Sequence, residues 1–114
     1  MAIERFEDIL IWQKSKIFVL DIYKKFLFCK DYSFKDQILR ASVSIMNNIA
    51  EGFEKGTNKY FRKYLFISKG SCGEVRSMLY LALSLNYISK IDFDNFYLSS
   101  LEISKMLSGF IKKL

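Results

Sequence analysis

Hydrophobic and polar positions recur at the helical period of about 3.6 residues in four successive segments of this chain. Nowhere do they alternate for long enough to make a strand. The pattern predicts helices over about 7–29, 34–53, 57–87 and 92–113, separated by short polar breaks. Lys30-Asp31-Tyr32 precedes Ser33, a good N-cap for the second helix. Gly52 and Gly56 bracket that helix's end, and Thr57 is placed to cap the third. Asp92 is placed to cap the fourth, with Asp94 in its first turn and Lys112 and Lys113 in its last, an order that complements the helix dipole. Connections this short join antiparallel neighbours. The expected fold is therefore all-α: an antiparallel up-down-up-down four-helix bundle, one domain over residues 1–114.

The faces can be read from the same period. On the third helix Phe61, Tyr64, Leu65, Ser68, Cys72, Val75, Leu79 and Ala82 share one side, and Lys59, Arg62, Lys69 and Arg76 the other. On the second, Phe34, Ile38, Ile45, Ile49 and Phe53 oppose Asp36, Arg40, Ser44, Asn47, Asn48 and Glu51. The fourth is apolar at Phe93, Phe96, Tyr97, Leu101, Ile103, Leu107, Phe110 and Leu114. The first helix differs, because it is apolar nearly all round. Ile9, Leu10, Ile17, Leu20 and Leu27 form one apolar face and are expected to meet the core. That leaves Ile11, Trp12, Phe18, Val19, Ile22, Tyr23 and Phe26 as a surplus on the others. A bundle buries about one face of each helix, so the surplus is expected to be covered by another copy of the chain.

Composition narrows the chemistry. At 114 residues the chain can bury a core without disulfides or metals. There is no proline, which suits long helices. Cys29 and Cys72 are far apart in sequence and form no metal-binding or redox motif. Met1–Asp8 carries Glu4, Arg5, Glu7 and Asp8 rather than a signal-peptide pattern, and Ser77–Ser89, the longest uncharged stretch, is too short to span a bilayer. A cytoplasmic protein with reduced thiols and no membrane role is expected. Histidine is absent, which removes the commonest general base and metal ligand. Gly70-Ser71-Cys72-Gly73 lacks the Gly-Lys-Ser/Thr ending of a phosphate loop. Across the short turn, Glu51 and Glu74 fall roughly 25 Å apart along the axis, too far for paired acid–base work. No catalytic residue, metal or cofactor is expected.

The net charge of +6 favours anionic partners. Lys59, Arg62, Lys69 and Arg76 line one face of the third helix, with Lys55 and Lys63 near its start and Phe66 among them. Such a face can follow a phosphate backbone and offer a stacking surface, so nucleic acid, RNA above all, is the expected partner. The alternative is a scaffold that recruits a protein partner, with the charge serving solubility.

Two stretches carry a resemblance. Phe6-Glu7-Asp8-Ile9-Leu10-Ile11-Trp12-Gln13-Lys14 resembles the opening F-x-D-L-x-V-W-Q-x-A of the 23S rRNA-intervening sequence protein family, also called four-helix-bundle proteins. Gln37–Ile45 followed by Asn48-Ile49-Ala50-Glu51-Gly52 is similar to its Q-I-x-R-A-x-x-S-I-x-x-N-I-A-E-G, and Gly70, Ser71 and Glu74 match G-S-x-x-E. Met46 stands where many relatives have proline, and Ser15 where alanine is common. The resemblance implies a bundle that assembles into homopentamers. It also implies genes lying within rRNA intervening sequences in some members, and nucleic-acid binding in a group that accompanies diversity-generating reverse transcriptases. It transfers no catalytic residue. Trp12, Arg40, Ser44, Asn48, Glu51, Gly52, Ser71 and Glu74 carry over as signature positions, expected to be structural.

Overall fold

The computed structural model describes residues 3–114. A 3-10 turn at Phe6–Asp8 leads into α1 (Leu10–Phe26), α2 (Tyr32–Glu54), α3 (Asn58–Ser84) and α4 (Lys90–Lys112). Each helix packs on its sequence neighbours, and α1 closes the bundle against α4. The described residues hold no strand.

Two of the expected caps move. Asp31, not Ser33, starts α2, its carboxylate accepting from the Phe34 N–H at 3.1 Å. Ser89, not Asp92, starts α4, its hydroxyl accepting from the Asp92 N–H at 3.1 Å. In both cases a good capping side chain stands two or three residues upstream of the expected one, and the helix begins there. Thr57 caps α3 as expected. Gly52 ends nothing: it lies inside α2, buried against α3. Gly56 makes the turn, with φ at +83°, a region that glycine enters without steric penalty.

The α2–α3 contact is the most extensive in the bundle. A Cβ on Gly52 would stand 2.6 Å from the Tyr64 Cβ, so the two backbones approach as closely as they do only because that atom is missing. The Ser44 and Ser71 hydroxyls are hydrogen-bonded across the interface at 2.9 Å, and the Ser68 hydroxyl donates to the Ile45 carbonyl at 2.7 Å. The Asn48 amide closes the set, donating to the Ser44 carbonyl and hydroxyl. The α1–α4 seam is different. It is held by Lys14–Glu102 at 2.9 Å, by a Lys25–Asp92 ion pair and by an edge-to-face pair of Phe18 and Phe96.

The first helix corrects the sequence reading. Ile11, Phe18, Val19, Ile22 and Phe26, expected to await another subunit, are buried within the single chain. Trp12 is half-buried, its ring meeting Phe6 edge-on at 5.1 Å, and of the seven only Tyr23 is exposed. Instead Leu10, Ile17, Leu20 and Leu27, expected to form the core face, point to solvent. A helix with three apolar faces does not reveal by period alone which one the bundle takes. The neighbours decide, through Phe26 against Phe34 at 5.4 Å and Phe18 against Phe96.

Candidate nucleic-acid interface

Arg62, Phe66, Lys69, Gly73, Arg76 and Tyr80 follow one another along α3 at alternating steps of four and three residues, which keeps them in one row. The row runs along the α4 flank. The Tyr80 ring packs on Phe93 and Tyr97 of α4 at 5.0 and 5.9 Å, and Arg62 Nη1 donates to the Ile111 carbonyl at 3.3 Å. These contacts at both ends fix the pairing of the two helices. On α4, Tyr97, Leu101, Lys105, Ser108 and Lys112 form the matching row. By that register Lys112 falls near the level of Arg62, and Lys105 near the level of Lys69.

The row carries Arg62, Lys69 and Arg76 together, with Phe66 half-exposed among them. Lys59 and Lys63 lie further round the exposed side of α3. Lys55 sits in the α2–α3 turn, its ammonium 5.8 Å from the Tyr64 ring centre. Not every cation is equally free. Besides its bond to Ile111, Arg62 stacks over Phe66 at 5.5 Å, so it also ties down the last turn of α4. Arg76 is half-buried, with one guanidinium nitrogen enclosed and without a partner among the described residues. Burial pushes the neighbouring Cys72 thiol up to about 12, against the pull of the Arg76 charge, so the thiol stays protonated. Carboxylates are drawn away from the two rows. Glu102 is held by Lys14 of α1, and Asp94 by Lys90 at 2.8 Å.

Lys105 and Lys112 escaped the sequence reading. On its own segment Lys112 reads only as a complement to the helix dipole, and Lys105 carries no signal. Pairing the polar edge of the third helix with that of an antiparallel fourth would have found both.

The signature positions divide into two groups. Ser44, Asn48 and Ser71 form the hydrogen-bonded set between α2 and α3, Gly52 permits the close approach, and Trp12 anchors the turn before α1. Arg40, Glu51 and Glu74 are exposed, and their side chains make no hydrogen bond or ion pair among the described residues. Asp36 and Arg40, one turn apart on α2, form no ion pair among the described residues. An open groove of about 520 Å³ beside Tyr23, Arg40, Ser44 and Asn48 holds one carboxylate, Asp36, and no partner base. Among the described residues no cluster of carboxylates and thiols could hold a metal ion, and no helix is long and apolar enough to cross a membrane.

The structure is a small four-helix bundle that carries these cations along two adjacent helices. The 23S rRNA-intervening sequence protein model matches residues 7–109, and the chain belongs to that family. It is also similar to a crystal structure of a Bacteroides thetaiotaomicron protein of unknown function from the S23 ribosomal protein family. That likeness has a TM-score of 0.84 and 29% identity, and covers 90% of this chain and 99% of the other. No curated protein matches the sequence. Neither the family nor the structural relative indicates a catalytic activity.

Proposed function

We propose that the protein is a non-enzymatic, self-associating accessory protein that holds RNA on the α3–α4 face, in the cytoplasm. The observation that carries this reading is the pairing of Arg62 and Lys69 with Lys112 and Lys105 across two adjacent helices, with the nearby carboxylates engaged elsewhere. Successive cations in each row stand about 10 Å apart along the axis. A surface of this kind neutralises phosphates without reading bases, so affinity falls steeply with salt. Phe66 and Tyr80 offer rings for stacking.

The test is binding to fragments of structured ribosomal RNA over a salt series. Lys59, Lys69, Lys105 and Lys112 are the residues to reverse to glutamate, because Arg62 also ties down the end of α4 and Arg76 is half-buried. Loss of binding with unchanged helicity supports the reading, whereas binding indifferent to salt or to the four reversals sinks it. Self-association is tested separately by solution mass, the family resemblance implying five subunits. A second reading, recruitment of a protein partner, is favoured by the apolar end of the bundle, where Phe28 is 87% and Ile91 73% exposed. Capture of one partner insensitive to nuclease would favour it.

A further inference from the structure

Two exposed apolar rows are used neither by the core nor by the cationic face. On α1 and its C-cap, Leu10, Ile17, Leu20 and Leu27 are 48–60% exposed. With Gln13 and Lys24 they take the three-four spacing of a coiled-coil seam, on the side of the helix away from buried Ile11, Phe18 and Ile22. On α3, Tyr60, Ile67 and Leu81 are 43–48% exposed and fall on a seven-residue repeat whose remaining member is Glu74. Beside them lie Gly70, Ser77 and Ser84, also exposed and also seven apart, in the column that Lys63 begins. A Cβ on Gly70 would meet nothing within 4 Å, so the backbone there is open to close approach.

We propose that these rows dock on each other between copies of the chain, α1 of one copy lying parallel to α3 of the next. The proposal rests on the self-association put forward above and specifies its mode. The sizes are complementary: large side chains on α1 meet holes at Gly70, Ser77 and Ser84 on α3. The charges are complementary too. Lys24 is the one charge in the α1 row, and it faces a row that contains Glu74; neither has an ion-pair partner among the described residues.

The heights agree as well. Contacts of Phe26 with Phe34 and of Ser44 with Ser71 set Leu20 level with Glu74. Two copies side by side at one height therefore bring Lys24 to within about one helical turn of Glu74. In an up-down-up-down bundle α1 and α3 already run in the same direction, so rotation about an axis along the bundle keeps them parallel.

The two faces of one copy are not back to back. Ile67 lies on the α2 flank of α3, one turn before Ser71, which is bonded to Ser44. The α1 row points directly away from the core. Head-to-tail contacts between inclined faces give a ring when the rotation closes on itself, whereas a two-fold pair would use one face twice. The cationic row, on the opposite flank of α3, stays uncovered.

Light scattering of the wild-type chain, Leu20→Glu, Ile67→Lys and an equimolar mixture of the two variants tests the mode, with circular dichroism confirming that each is helical. Each variant alone should read the mass of one chain. The mixture should read two chains and no more, because only one intact α1–α3 contact can form. Lys24→Glu should weaken assembly, and adding Glu74→Lys should restore it. A wild-type monomer would overturn both this mode and the self-association beneath it. An oligomer whose mass both variants leave unchanged would overturn the mode alone, and so would variants that stop at dimers by themselves or a mixture that stays monomeric.

Discussion

The Tyr87 hydroxyl donates a hydrogen bond to Asp31 Oδ2 at 2.7 Å, joining the α3–α4 connection to the N-cap residue of α2. The same carboxylate caps α2 through the Phe34 N–H, and the Tyr87 ring meets Phe34 edge-on at 5.2 Å. Both inter-helix connections at that end of the bundle are thus tied by one carboxylate.

The hydroxyl of Tyr87 and the Phe34 amide hold the Asp31 carboxyl below its usual range, and the bond to Asp31 raises the Tyr87 phenol above its own. A lowered carboxyl stabilises the fold above its unfolded-state value and loses that contribution as pH falls through its folded value. A raised phenol contributes below its unfolded value near 10 and loses the contribution as pH rises beyond it. Tyr87→Phe should therefore lower the melting temperature most between about pH 5 and 9, with the gap to wild type narrowing at both extremes. A gap independent of pH would show that the bond contributes nothing.

Ser15 is fully buried in the middle of α1, and its hydroxyl has no partner among the described residues. A desolvated, unbonded hydroxyl costs about 1–3 kcal/mol. Ser15→Ala should raise the unfolding free energy in urea by about 1 kcal/mol with no change in slope. Destabilisation instead would mean that the hydroxyl has found a partner.

Gly52→Ala should act in the other direction. The added Cβ would stand 2.6 Å from that of Tyr64 and 3.2 Å from the Phe61 ring, and the first of these cannot move without moving α3. A loss of about 1–3 kcal/mol is expected from this overpacking, measured by the same urea titration. Gly70→Ala, with open space around its Cβ, is the control for helix propensity in the isolated subunit.

Lys105 and Lys112 distinguish a two-helix face from a single stripe. If RNA lies across both helices, Lys105→Glu with Lys112→Glu should weaken binding about as much as Lys59→Glu with Lys69→Glu, and each pair should flatten the salt dependence by a similar amount. Unchanged affinity in the α4 pair would confine the contact to α3.

Much of this was legible because α2 and α3 each have one clear apolar face. Ile38, Ile45, Ile49, Leu65, Val75 and Leu79 were read as core from period alone, and all are buried. The α1 reading failed where period has no power, since Ile11, Ile17 and Leu20 are equally apolar and only the positions of α2 and α4 decide among them. Helix starts shifted because Ser33 and Asp92 are good caps standing beside others, and local preference cannot choose between adjacent candidates. Lys105 was missed because its meaning depends on Lys69 of another helix, a relation that no single segment contains.

The contrast between the two seams also orders events in time. The α2–α3 hairpin needs only a short turn around Gly56 to form, and its interface is made of small side chains and mutually satisfied hydroxyls. The α1–α4 seam joins the sequence's most distant helices and depends on ion pairs open to water. Short loops close at low entropic cost, so the hairpin should be the kinetic nucleus and α1 the last helix to dock and the first to leave. Amide exchange should accordingly be slowest at buried positions such as Ile45 and Cys72 and fastest along α1, giving the bundle a rigid half and a half that opens while the rest of the molecule stays folded.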